Sequence, residues 1–403
     1  MTNINTKYDI AIIGAGMVGL CTLIALSELI KKGARIIIID PASPPTLSKD
    51  GLSSPSFDDR ATALSLASTL YLEQIGIWSF IKPFAQPILD IEVSSFGQVG
   101  LTQLNHKQAN TDAFGYIVSN KHIGQALLQV CSNITQVDYL YEQQVQDITK
   151  THASDYPYEC LITNGQSIQA RLTLLTDGGR SELKEKLKFK DETFDYQKVA
   201  VVSNVQTQNP HNGKAFERFD QSGPIALLPF HQDNLSALVW TMGADKLDDF
   251  LQTSDTDKLA LLNQRFGRRL GQINQIGNIA HYPLKLSMCK EQVRPGLILL
   301  GNSACALHPV AGQGFNLALF AVKALTQRLN KQSIEQINHL PMLMDYQQSV
   351  WPRQQMMSQF SHQMVQSFES SNPLVRTTRS VLLSILESHT IAKGVFSRFA
   401  MGL

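Results

Sequence analysis

The sequence predicts an α/β fold: a parallel β-α-β domain interleaved with a second, antiparallel-sheet domain and followed by a helical tail. Three observations carry this. An apolar run, Ile10–Ile13, leads into closely spaced glycines. A second apolar run, Leu297–Leu300, leads into Gly301 far along the chain. Between them, Val199 to Trp240 is rich in short β-type segments. At 403 residues the chain has room for roughly two to three domains with large cores.

The first unit can be read element by element. Ile10–Ile13 has strand character, and Gly14, Gly16 and Gly19 follow at G-x-G-x-x-G spacing, with Met17 and Val18 between the last two. A helical pattern then places Leu20, Leu23, Ile24, Leu26 and Ile30 on one side and ends at Lys31-Lys32-Gly33. Ala34–Ile39 is a second strand, closed by Asp40, which lies 21 residues after Gly19. This is a Rossmann-type unit. Gly14 permits the tight turn, Gly16 lets the backbone approach a pyrophosphate, and Gly19 lets helix and strand pack closely. The helix start offers N–H groups and a partial positive charge to phosphates. Asp40 either accepts hydrogen bonds from a ribose hydroxyl or is a strand-end turn residue before Pro41.

Residues 41–58 read as a loop. Asp58–Ser65 is expected to open a helix with Asp59 as its cap, placing Arg60 beside the dinucleotide, either on phosphate or in solvent. Ile91–Phe96 alternates and suggests a second sheet. Tyr116–Leu128 reads as a strand turning into a helix, with Gln125 facing either the pyrophosphate or solvent. Ala170–Ser181 is a strand ending at Asp177-Gly178, which would return the chain to the first sheet. Asp177 is then either at the ligand-binding end of that strand or in a plain turn. Four strand segments follow, around Val199–Val202, Ala215–Phe219, Ile225–Phe230 and Leu235–Trp240, with Phe216 and Trp240 either core or pocket lining. Helical stretches are expected at about 245–270, and a helix from Gly314 to Leu329. The tail, 340–403, reads as helix. Its Met342, Met344, Trp351, Met356, Met357, Phe360, Met364 and Phe368 serve either packing on the protein itself or an interfacial surface.

These elements imply a discontinuous first domain (1–85 with 106–185 and 275–335), a sheet domain (86–105 with 186–274) and a helical C-terminal region (336–403). The two glycine segments, taken together, point to a flavin dinucleotide held from both ends and separate a flavoprotein from a nicotinamide dehydrogenase. A net charge of +1 argues against nucleic acid as a bulk partner. The five cysteines are scattered, and neither they nor the ten histidines show metal-ligand spacing, so no metal is expected. The N-terminus runs almost directly into a strand and no long apolar run exists, so a cytoplasmic chain is expected.

Gly14/Gly16/Gly19 with Asp40, then Asp177-Gly178, then Gly301-Asn302 with Pro309, Gly312-Gln313-Gly314 and Asn316 resemble the three ordered fingerprints of the group A flavin monooxygenases. These are aromatic hydroxylases of the para-hydroxybenzoate hydroxylase fold. The match runs from about residue 8 to 360. Within the group the chain looks most like the ubiquinone-biosynthesis hydroxylases, the 2-polyprenyl-6-methoxyphenol hydroxylase branch in particular. The strings carrying this are Asp59–Leu64, Ala215-Phe216-Glu217-Arg218-Phe219, Gly223–Pro229, Leu238-Val239-Trp240, Tyr282-Pro283-Leu284 and Leu307–Asn316. Asn302 stands where the group usually has Asp, Thr176 where it has Ala, Lys184 where it has Arg, and Ala321 where an acid is common.

The resemblance implies FAD as cofactor and NAD(P)H as a transient reductant without a Rossmann site of its own. O2 would add at flavin C4a, and the C4a-hydroperoxyflavin would hydroxylate a polyprenylated phenol. Pro309 to Gly314 would run beside the isoalloxazine ring. The residues identify no catalytic base; His308 beside that loop is either structural or functional. An apolar substrate implies work at a membrane surface, peripheral to the inner membrane, or delivery by ubiquinone-biosynthesis partner proteins, with the tail helices as candidates for both contacts. Two other readings remain: a non-hydroxylating flavoprotein reductase of the same fold, and a flavin-poor assembly subunit motivated by Asn302, Ala321 and Lys184.

Overall fold

Lys7–Ile13 is buried along almost its whole length, and its apolar run therefore sits mid-sheet rather than at an edge. It pairs in parallel with Ile36–Asp40 on one side and Ser167–Leu175 on the other. Val137–Tyr141 extends the sheet beyond Ile36–Asp40, again in parallel. The outer edge of Ser167–Leu175 is shared: Thr173–Leu175 pairs in parallel with Leu297–Leu299, while Ser167–Ala170 pairs antiparallel with Tyr158–Ile162. The structure is a computed structural model describing residues 6–48, 51–54, 57–96, 101–179, 182–220, 223–307, 313–369 and 390–403.

One face of this sheet is covered by helices Met17–Ala25, Asn120–Ser132 and Gln313–Leu329, which share a core containing Leu20, Leu23, Ile123, Leu127, Val322 and Leu325. The other face buries Tyr8, Ala11, Ile37, Ile148 and Phe189. The helical pattern after Gly19 holds, but with a break at Leu26: Met17–Ala25 is followed by a short helix, Ser27–Lys31. Lys32 then donates through Nζ to the carbonyls of Asn330 (2.7 Å) and Gln332 (2.9 Å), beyond the end of helix Gln313–Leu329.

The expected helix at 58–65 is a strand instead. Ala61–Ser65 pairs antiparallel with Gly115–Ser119 across its full length. The helix starts only at Leu66, and its cap is Ser65, whose hydroxyl accepts from Ser68 N, rather than Asp59. The segment's helix-compatible composition yields to tertiary pairing, a common outcome where propensities are weak.

The second sheet runs in the order Cys305–Ala306, Ala280–Cys289, Asp191–Thr207, Leu235–Gly243, Gly223–Pro229, Lys214–Asp220, Asp90–Ser95, Leu101–Asn105. Its pairs are antiparallel except Lys214–Asp220 with Asp90–Ser95. All four strand segments read from the sequence lie in it. One face packs on helices Leu247–Gln252 and Asp255–Phe266. Phe216 and Trp240 belong to that core, edge-on to Phe266 and Phe250 with centroids 5.7 and 5.2 Å apart.

The tail forms helices Leu340–Glu369 and Thr390–Ala400. Met357 is buried with Met288, Cys305 and Leu317, and Trp351 and Phe399 pack beside them. Met342 packs on the main core, whereas Met344 and Met356 are exposed. The side chains of Met364 and Phe368 lie outside the described residues. The chain end docks back: Ala67 N donates to Met401 O (3.0 Å), and Arg353 donates to Gly402 O. All five cysteines are free and buried. Among the described residues, no helix is long and apolar enough to cross a membrane.

Candidate functional site

Three chain segments far apart in sequence meet at the carboxyl end of the parallel sheet. Gly14 sits at φ 108°, a region that disfavours side chains, and a Cβ there would lie 2.8 Å from Thr176 O. A Cβ on Gly19 would stand only 2.0 Å from Gly14 O. The turn is therefore pressed between the following helix and the end of Ser167–Leu175. Thr176 secures it, its hydroxyl lying 2.9 Å from the carbonyls of both Ile13 and Gly14. Gly301, at φ 62°, abuts Val18, and Gly179 abuts the Asn302 backbone.

Asp177 joins the second and third segments. Ser303 Oγ donates to Asp177 Oδ1 at 2.6 Å, and Gly179 N donates to the same oxygen at 3.1 Å. Asp40 is 8% exposed, and its carboxylate accepts from Ala15 N (2.5 Å) and Ala42 N (2.8 Å). It thus props the glycine turn from the neighbouring strand. Asn302 is exposed.

The space in front of this turn fits a dinucleotide. Helix Met17–Ala25 begins with no side-chain cap and no acid in its first turn. A Cβ on Gly16 would meet nothing within 4 Å. An uncapped helix start beside an open glycine leaves donor N–H groups for phosphate oxygens.

Gln313 and Gly314 are half-buried in the first turn of helix Gln313–Leu329. Asn316 fixes that turn to the Ala61–Ser65 strand. Its Oδ1 accepts from Ser65 N and its Nδ2 donates to Ala63 O, both at 2.8 Å. Pro309 and Gly312, with His308, lie outside the described residues. Arg60 pairs with Asp58 (2.6 Å) and lies over the Tyr282 ring at 4.6 Å, so it bridges to the second sheet. Gln125 lies on helix Asn120–Ser132, near Gly51. Lys184 pairs with Asp191 at 2.6 Å, and Ala321 is core.

The second sheet turns its other face toward Ala61–Ser65. Ala215 and Phe230 pack there with Phe114, Ile117 and Met401, with Ala61 and Ala63 against them. The cross-strand row Glu217, Ala226, Val239, Val202 and Ala280 lies on this face, in register over five strands. Four of these five are only half-buried although the strands are central. This row is a floor of small side chains interrupted by one acid. Glu217 and its setting escaped the sequence reading, as did Ser303 and the anchoring role of Thr176. The alternation Phe216/Arg218 against Ala215/Glu217/Phe219 was the available signal for Glu217.

Comparison with known proteins agrees with this geometry. A family model described as an FAD binding domain matches residues 7–360. Ubiquinone hydroxylase UbiL of Rhodospirillum rubrum is 31% identical over 399 residues, spanning 98% of this chain and 89% of that protein. The 3-demethoxyubiquinol 3-hydroxylase of Escherichia coli is 27% identical over 402 residues, spanning 99% and 100%. The crystal structure of p-nitrophenol 4-monooxygenase PnpA from Pseudomonas putida shares the fold, with a TM-score of 0.78, 18% identity and 98% coverage of both chains.

Proposed function

The chain belongs to the FAD binding domain family, and we propose that it hydroxylates a polyprenylated phenol in ubiquinone biosynthesis, using FAD, NAD(P)H and O2. The observation that carries this is the meeting of the glycine turn, Asp177-Gly178 and Gly301-Asn302 on an uncapped helix start, close to a sheet face floored by small side chains. Bound FAD supplies the acceptance of hydride from NAD(P)H and the activation of O2.

The remaining work falls to the chain's own residues. Gly14, Gly16, Met17, Val18 and Gly19 would hold the pyrophosphate through backbone N–H groups. Asp40 keeps that turn in shape and would offer its remaining lone pairs to the ribose. Arg60 and Gln125 would border the dinucleotide. Asp177, Gly301 and Asn302 would hold its ribityl end, and Pro309, Gly312, Gln313, Gly314 and Asn316 would border its ring. On a three-part division into a discontinuous dinucleotide domain, a sheet domain and a C-terminal helical region, the two ligands would lie against opposite walls. The isoprenoid tail calls for an apolar exit, and the exposed Met344 and Met356 make the 340–369 helix the candidate for contact with a membrane or a partner.

Purified protein incubated with FAD and passed through gel filtration is expected to keep its flavin absorption bands and to be bleached by NAD(P)H. A colourless protein that gains no thermal stability from FAD would sink the enzyme reading and leave the assembly-subunit reading standing. Flavin retention with turnover of another acceptor, but of no phenol, would favour the reductase reading.

A further inference from the structure

Glu217 lies on the face of strand Lys214–Asp220 opposite the Phe216 core. In register with it stand Val93 on one side and Ala226 on the other, followed by Val239. Among the described residues no hydrogen bond or ion pair reaches its carboxylate, although the side chain is half-buried. A second polar group lies on the same face and is more deeply buried. Ser95, two residues along the strand from Val93, is 4% exposed and its Oγ has no partner. A buried hydroxyl without a partner and a half-buried carboxylate without one, beside a half-open apolar floor, mark a place where a ligand's polar group completes the bonding.

We propose that Glu217 is a catalytic residue of the hydroxylation, accepting the hydroxyl proton of a phenol ring that lies on Ala226 and Val239. The inference rests on the aromatic-hydroxylase reading above. Neighbouring side chains on one sheet face stand about 5 Å apart, close to the width of a phenyl ring, so a ring on Ala226 brings its hydroxyl to Glu217. The step is a proton transfer. The phenol O–H bond breaks, its electron pair spreads to the para carbon, and the proton moves to the carboxylate. After oxygen transfer the carboxylate's proton returns to that same oxygen, the attacked carbon's hydrogen leaves as a proton to water, and its C–H electron pair restores the aromatic ring.

Burial alone pushes the Glu217 carboxyl up to about 7. It is therefore neutral in acid and becomes a proton acceptor as pH rises through 7. Among the described residues no charged group facing it complicates this. The level positions on adjacent strands are Val93 and Ala226. Helix Leu340–Glu369 also approaches this strand, but its Arg353 is bonded to Gly402 O and its His362 to Tyr196. Arg218 points the other way, to Arg265 O.

The test uses the FAD-loaded enzyme with Glu217→Gln and Glu217→Asp. The wild-type kcat is expected to rise with pH through about 7. E217Q should lose about 100-fold in kcat with little change in KM, and should lose that inflection. E217D should recover part of the rate. Ultraviolet difference spectra of phenol bound to the oxidised enzyme give a readout without turnover: with the anionic carboxylate alongside, bound phenol should ionise at higher pH in the wild type than in E217Q. Melting gives a third readout. A raised carboxyl stabilises the fold in acid and loses that contribution as pH passes 7, so E217Q should gain on the wild type at pH 8 relative to pH 5. An E217Q enzyme with wild-type kcat and pH profile would overturn the proposal. If the wild type turned over no phenol, the hydroxylase reading would fail, and unchanged phenol ionisation between wild type and E217Q would separately remove the proton-acceptor role.

Discussion

Gly19→Ala is expected to destabilise the protein by about 3 kcal/mol or more and to abolish FAD retention. The added methyl would stand 2.0 Å from Gly14 O and 2.9 Å from Thr176 Oγ1. Neither neighbour can yield cheaply. Gly14 is itself held at φ 108° against Thr176 O, and the Thr176 hydroxyl is engaged with the Ile13 and Gly14 carbonyls. Relief requires the helix Met17–Ala25 to move off the sheet, which opens the core around Leu20 and Leu23. Gly16→Ala is the matching control. Its methyl meets nothing within 4 Å, so the melting temperature of the FAD-free protein should stay close to wild type. FAD affinity should nevertheless fall, because the methyl enters the space assigned to the pyrophosphate. Thermal melts with and without FAD check both. A Gly19→Ala protein that melts normally and stays yellow would remove the packing account of this turn.

Asp40→Ala should cost about 3 kcal/mol and weaken FAD binding at least tenfold. Two backbone N–H groups, those of Ala15 and Ala42, lose a charged acceptor together. Ala15 is 7% exposed, so water replaces the carboxylate there poorly. Asp40→Asn keeps an acceptor oxygen and should lose less on both counts. Denaturant unfolding of the FAD-free variants isolates the structural part, and FAD titration gives the rest. If Asp40→Ala lowered FAD affinity while leaving the FAD-free fold untouched, the carboxylate would serve only the ribose, and its role as a prop for the glycine turn would be wrong.

The parts of this molecule that were legible in its sequence are those in which local pattern and tertiary environment agree. The Ile10–Ile13 run is apolar on both sides because both sheet faces are covered, and Gly33 ends the helical stretch at φ 93° as its position after two lysines suggested. Three of the strands between Val199 and Trp240 were readable because turn residues separate them, while Val199–Val202 is the apolar middle of the longer strand Asp191–Thr207. Ala61–Ser65 was misread because its partner, Gly115–Ser119, lies some fifty residues away, and nothing local distinguishes the strand from a helix start. Asp40 and Asp177, read as candidate cofactor ligands, both lie beside the glycine turn. Their partners, Ala15 N and Ser303 Oγ, are set by how close the glycines let the segments come, and spacing alone does not encode that. The sequence carries no local sign of a role for Glu217, because its environment is made by strands from three other stretches of the chain.

The most direct test of the central claim is mass spectrometry of a polyprenylated phenol turned over by the FAD-loaded enzyme with NAD(P)H under oxygen-18 gas. The account predicts a product heavier by one oxygen, labelled from the gas and not from water, with one NAD(P)H consumed per product. Unlabelled phenol accompanied by NAD(P)H oxidation and peroxide release would contradict it.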